Sequence, residues 1–377
     1  MVMNPTGQPM IQLSEVQKVS QFKLQLPTLP PFIGIQSAYA DQSATFNDNL
    51  ENDCQQSGTG ANNEDCDITV TAAISQAAQD PPAGTSNQYD VIINLDALNN
   101  CDEFDDGNNN ANCDNTATYV VGPATQTNDP NNPPVATNEI DIVTDDTMLN
   151  DCTESGNGDN NAQCTNTGTF TIDSITQNNL VDASNTIGVN FAESNTVNVL
   201  SSFDETNDCD ETGDGNLGPV CENAVTNQIG PIDQSNSVTG NTPNSAHANN
   251  IDFSQTGIAE NDCNESGEGA GINGARCGIE AANAINPLDQ SNAANGVDNA
   301  VQSNDFTVSQ VFDVENACNE FEEGTNAQNC VMDGLDNEIG DIDINPIQQS
   351  NDAVGAAGAT ISQNNEVDGD DALGIAG

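Results

Sequence analysis

The chain has 377 residues, with 59 Asp and Glu against 3 Lys and Arg, a formal net charge of -56. With no basic patch to neutralise phosphate, nucleic acid and anionic lipid surfaces are excluded as partners. Hydrophobic residues make up 35% with no Trp, and no run reaches the length of a membrane helix, so membrane insertion is not expected.

Residues 1–40 read as a secretory leader: Lys18 and Lys23 precede an apolar stretch, and Ala38-Tyr39-Ala40 supplies a small-residue cleavage site. Pro27, Pro30 and Pro31 interrupt that stretch. Removal after Ala40 predicts a secreted protein at the cell surface or in the extracellular space. That compartment suits disulfides, and twelve cysteines follow.

These cysteines fall into six pairs along the chain: Cys54 and Cys66, Cys101 and Cys113, Cys152 and Cys164, Cys209 and Cys221, Cys263 and Cys277, Cys318 and Cys330. They define six units over 41–87, 88–138, 139–195, 196–249, 250–304 and 305–377, a period typical of solenoids and propellers. One pair per unit at nearly constant separation predicts one local disulfide in each. Zinc is a poor fit, since the spacing is not Cys-x-x-Cys and His247 is the one histidine.

Strand signals sit at fixed places in the units. Tyr89-Asp90-Val91, Ile140-Asp141-Ile142, Val197-Asn198-Val199, Ile251-Asp252-Phe253 and Phe306-Thr307-Val308 each begin at the same distance before a cysteine, alternating apolar and polar as half-buried strands do. After the second cysteine, Gln126, Gln177, Gln234 and Gln290 recur at one offset. Phrases such as Ile232-Asp233-Gln234-Ser235-Asn236 read as a second strand ending in an amide-rich turn, and identical amides in register can stack into ladders. About 57 residues are Asn, yet the only glycosylation sequon read is Asn264-Glu265-Ser266, so turns and ladders account for most of them. The pattern predicts an all-β repeat protein, a β-solenoid with two coils of about 22 to 27 residues per unit. Tandem β-sandwich modules and a six-bladed propeller are the alternatives.

The Gln-Ser-Asn phrases at Gln234, Gln290 and Gln349 resemble curlin repeats of extracellular fibres over residues 230–365, and the wider texture is similar to Asn/Asp-rich archaeal secreted surface proteins. Curlin spacing is not kept, since Asn292 and Asn295 follow Gln290. The resemblance implies an extracellular fibre protein.

Asp208-Cys209-Asp210-Glu211-Thr212-Gly213-Asp214 resembles the start of a calcium loop, with oxygen ligands at alternate positions. Asp262, Asn264 and Ser266 repeat the arrangement. An EF-hand is rejected because Pro219 and Asn273 stand where its closing glutamate belongs, so these loops read first as solvated acidic turns, with weakly held calcium as the alternative. Catalysis is not expected. His247 lies in a connector and reads as exposed, Arg276 suits a local ion pair, and no Gly-x-Ser-x-Gly, Walker or dinucleotide motif is present.

These features predict an extracellular structural protein whose partner is itself, a homopolymer forming a filament, sheath or surface layer. The alternative is a calcium-dependent adhesin or glycan-binding module recognising a cell-surface glycan. Sparse aromatics placed at strand positions favour the first. Acidity alone also fits adaptation to high salt.

Overall fold

A computed structural model describes residues 20–25, 39–57, 60–61, 64–75, 86–104, 107–108, 111–128, 135–156, 163–182, 191–212, 220–266, 276–321, 341–344 and 347–376. All its elements are strands. The first six are β1 (Ser20–Gln25), β2 (Tyr39–Ser57), β3 (Gly60–Ala61), β4 (Glu64–Ser75), β5 (Ser86–Phe104) and β6 (Gly107–Asn108). There follow β7 (Ala111–Val121), β8 (Ala124–Asn128), β9 (Val135–Ser155), β10 (Gln163–Ile172), β11 (Ile175–Asp182) and β12 (Phe191–Thr212). The last are β13 (Val220–Ile229), β14 (Ile232–Ser266), β15 (Arg276–Ile285), β16 (Leu288–Phe321), β17 (Asp341–Ile344) and β18 (Ile347–Ala376).

Every pairing is parallel, and each joins a residue to its equivalent in the next unit. One sheet runs β18-β16-β14-β12-β9-β5-β2 and a second runs β1-β4-β7-β10-β13-β15-β17. Cys152 pairs with Cys209, and Cys209 with Cys263. This is a β-solenoid-like coil, and neither a sandwich nor a propeller has such unit-to-unit parallel pairing. The expected two coils per unit are one. A long strand runs out, a return strand comes back, and a second return segment leads into the next long strand.

The unit boundaries after residues 87, 138, 195, 249 and 304 each fall on an asparagine inside a long strand. Within the predicted leader, β1 pairs parallel with β4, Ser20 opposite Val70 through Gln25 opposite Ser75. No helix among the described residues is long and apolar enough to cross a membrane.

Alternation explains the strands. In β12, Phe191, Glu193, Asn195, Val197, Val199, Ser201, Phe203, Glu205, Asn207, Cys209 and Glu211 all point inward while the residues between them face out. The interior is therefore zoned. Its middle is apolar, with Val197, Val199, Ile229 and Ile232 packed beside their counterparts in other coils. Amides flank that layer on both sides.

Between the two return segments the chain turns at Gly122-Pro123, Asp173-Ser174, Gly230-Pro231 and Asn286-Pro287. A Cβ at Gly230 would collide with the carbonyl oxygen of Ile172 in the coil below, so this corner requires glycine.

The amides carry the register. Asn138 donates to Asn195 (2.9 Å), Asn195 to Asn249 (3.0 Å) and Asn249 to Asn304 (2.9 Å), one coil at a time. A second column donates from Asn128 to Asn179 (2.8 Å), on to Asn236 (2.8 Å) and Asn292 (2.9 Å). The two columns face each other, Asn179 bonding Asn195 at 3.0 Å and Asn236 bonding Asn249 at 2.9 Å. The glutamines at the constant offset form a third column running the other way, Gln234 donating to Gln177 and Gln290 to Gln234. The predicted amide-rich turn is thus strand, with Gln234 and Asn236 inside it and Ser235 outside.

Replacing Asn195 by Ala orphans amide groups on the coils above and below, and each buried group left unsatisfied costs about 1–3 kcal/mol. Chemical denaturation should show Asn195→Ala destabilised by roughly 2–4 kcal/mol, against under about 0.5 for the outward Ser202→Ala.

Candidate functional site

At one edge of the coil four of the long strands meet their return strands through disulfides. Cys54–Cys66, Cys101–Cys113, Cys152–Cys164 and Cys209–Cys221 are bonded with Cα separations of 6.3–6.5 Å, inside the normal range. Cys263 is also disulfide-bonded. The side chains of Cys277, Cys318 and Cys330 lie outside the described residues. Stacked coils stack these bonds: the sulfurs of Cys209, Cys221 and Cys263 lie within 4.8 Å of one another. That convergence is one disulfide on the next, with no thiolate to offer a metal. Four disulfides fit a protein stabilised for an extracellular setting.

The candidate calcium ligands flank this ladder. Asp208 and Asp210 lie on β12 either side of buried Cys209, so both face outward instead of lining a loop. Thr212 ends that strand. On β14 the register places Asp262 beside Asp208, Asn264 beside Asp210 and Ser266 beside Thr212. Asp214 lies outside the described residues. The two sets expected in separate loops therefore belong to one surface.

Two outward columns result. Asp151, Asp208 and Asp262 occupy consecutive coils, and beside them stand Thr153, Asp210 and Asn264. Asn264 donates to Asp210 at 2.9 Å, and in the earlier coils Gln55 donates to Asp102 at 3.2 Å. Asp208 is pushed up to about 6, first by partial burial and then by the negative charges of Asp210, Asp151, Asp262 and Glu260. Burial and neighbouring carboxylates likewise raise Asp102, and burial leads the rise at Asp151. Such a surface gains by binding protons or cations.

Several interior acids escaped sequence reasoning. Glu103, Glu154 and Glu211 stack in register just beyond the disulfides and are buried. A recurring Cys-x-Glu in five of six units was the available signal. His247 is not exposed: at 2% exposure it bonds Glu193 through Nδ1 at 2.8 Å, both pointing inward from neighbouring coils. Burial raises the Glu193 carboxyl, and His247 pulls it back down. The side chain of Arg276 lies outside the described residues, and its backbone opens β15.

No family model, curated protein or solved structure matches this chain.

Peptide mapping under non-reducing conditions should recover six intra-unit bonds, including Cys263–Cys277 and Cys318–Cys330. Predominant cross-unit linkages would overturn the assignment. Reduction should lower thermal stability, since each loop closure of this size contributes about 3 kcal/mol in the chain-entropy account.

Proposed function

We propose that the chain is an extracellular structural subunit that stacks end to end on copies of itself, forming a filament, sheath or surface layer. The observation that carries this reading is the state of the last described coil. In the inner coils each ladder glutamine accepts from the glutamine above it, whereas Gln349 donates to Gln290 at 2.8 Å and has no described coil above. Asn351 and Asn365 close the asparagine columns on the same edge, where Gln363 and Asn365 are exposed. Among the described residues β18 is the outermost strand of its sheet at this edge.

A second copy is the simplest cover for that edge, because the long strands keep one polarity throughout and one register outside the shifts near Thr239 to Thr242 and Asn295 to Asn299. The N-terminal stretch from Asp41 to Leu50 on β2 and the segment Ile361–Asn365 on β18 are the mating edges. Self-repulsion opposes stacking. Salt screens it, and calcium at the Asp151, Asp208 and Asp262 column neutralises it locally. Archaeal surface proteins and curlin fibres provide the resemblance this reading extends.

Sedimentation and electron microscopy test it, with calcium at millimolar level and without. The wild-type chain should form filaments, promoted by calcium or salt, with the strand spacing of about 4.7–4.9 Å along the fibre axis. The variant Gln349→Ala/Asn351→Ala/Asn365→Ala should remain monomeric and folded, with a lowered thermal midpoint because Gln290, Asn292 and Asn304 lose partners. A wild-type chain that is monomeric in all conditions would refute assembly and favour the calcium-dependent adhesin.

A further inference from the structure

Two acidic side chains point into the middle of the rod. Asp146 on β9 and Glu205 on β12 are 9% and 0% exposed. The register sets Asp146 beside Phe203 and Met148 beside Glu205, which makes the two acids diagonal neighbours on one inward face. Neither oxygen of Glu205, nor Oδ1 of Asp146, has a hydrogen-bond partner among the described residues. Glu205 occupies a hollow left by a glycine: a Cβ on Gly168 of β10 would lie 2.7 Å from Glu205 Oε1 and 3.4 Å from Met148 Cε.

Among the described residues no cation is at hand to balance them. The sequence holds no Lys or Arg between Leu24 and Ala275, and His247 is engaged by Glu193. The facing strands β10 and β13 turn Gly168, Phe170, Val225 and Asn227 inward. Neighbouring long strands turn in Leu95 and Ala97 on β5, and Gly257 and Ala259 on β14. None of these titrates. The titratable groups nearby are Tyr119 on β7, buried with its hydroxyl unpartnered among the described residues, and Asp48 on β2, which acts on Tyr119. Asp145 and Asp204 follow on the outer face. None carries a positive charge to offset ionisation, and the negative charges of Asp145 and Asp204 oppose it.

We propose that Asp146 and Glu205 are carried inside the rod as neutral carboxylic acids, so that closing the third and fourth coils takes up two protons and acid locks the fold. Burying two bare carboxylates without a counter-charge is otherwise prohibitive. Burial, then Asp145, holds Asp146 up to about 8, and burial, then Asp146 and Asp204, holds Glu205 well above the carboxylate range. In the unfolded chain the two groups titrate near about 3.9 and 4.3. Their contribution to stability is complete below those values. It declines as pH rises, because the unfolded chain releases protons that the rod retains, and it is lost once the rod's own acids ionise.

Thermal unfolding of the full chain between about pH 4 and pH 9 tests the lock, beside Asp146→Asn/Glu205→Gln. The wild-type midpoint should fall with rising pH, and the double variant should fall less steeply and exceed wild type at the alkaline end. Identical slopes, or a wild type that weakens on acidification, would overturn the proposal. Millimolar calcium at alkaline pH is the second arm. Recovery of the wild-type midpoint without recovery in the variant would make the pair a cation site and refute proton uptake. Infrared spectroscopy at neutral pH gives a reading that does not depend on the double variant: a protonated-carboxyl stretch present in wild type and reduced in Glu205→Gln. Its absence from wild type would contradict the lock.

Discussion

A primary amide buried in a thin rod has few places to bond, and here the partner is the same amide one coil away. Asn195 illustrates the constraint. Its Nδ2 is shared among the Ser235 carbonyl, Asn236 and Asn249, while its Oδ1 accepts from Asn138. A slip of one residue would turn the whole column outward and carry polar outer residues in. Register is therefore fixed by the strands, and length can vary elsewhere. Equivalent ladder residues lie 51, 57, 54 and 55 residues apart in successive coils, yet the columns run unbroken.

That constraint explains a composition poor in hydrophobic residues. The interior consists of a disulfide edge, an apolar middle and paired amide columns, so a modest number of branched side chains is enough. Most acids are left to the outer face, where in-register pairing aligns like with like: Asp151, Asp208 and Asp262 stand one above another. Stacking identical units thus creates order inside and repulsion outside. Salt and divalent cations act on the second without touching the first.

Much of this was legible in the sequence. Ile140-Asp141-Ile142 and its equivalents marked the strands, the glutamine offset marked a ladder, and the cysteine spacing marked the staples. The coil length was not legible, because most inward positions of β12 outside its middle are polar: Glu193, Asn195, Ser201, Glu205, Asn207 and Glu211. A hydrophobic period of two therefore shows over only a few residues, and a strand of 22 residues reads as a short strand beside a loop. The same masking hid His247, which lies inward between Ser245 and Asn249 in a stretch that reads as a connector. Asp146 and Glu205 were hidden by abundance, since two among 59 acids attract no notice.

The ladder side-chain amides are bonded along the rod, and their hydrogen exchange reports it most directly. In NMR exchange measurements the Nδ2 protons of Asn138, Asn195 and Asn249 should be protected nearly as well as the backbone of β12, while those of the exposed Asn364 exchange freely. Ladder amides that exchange as fast as Asn364 would contradict the account.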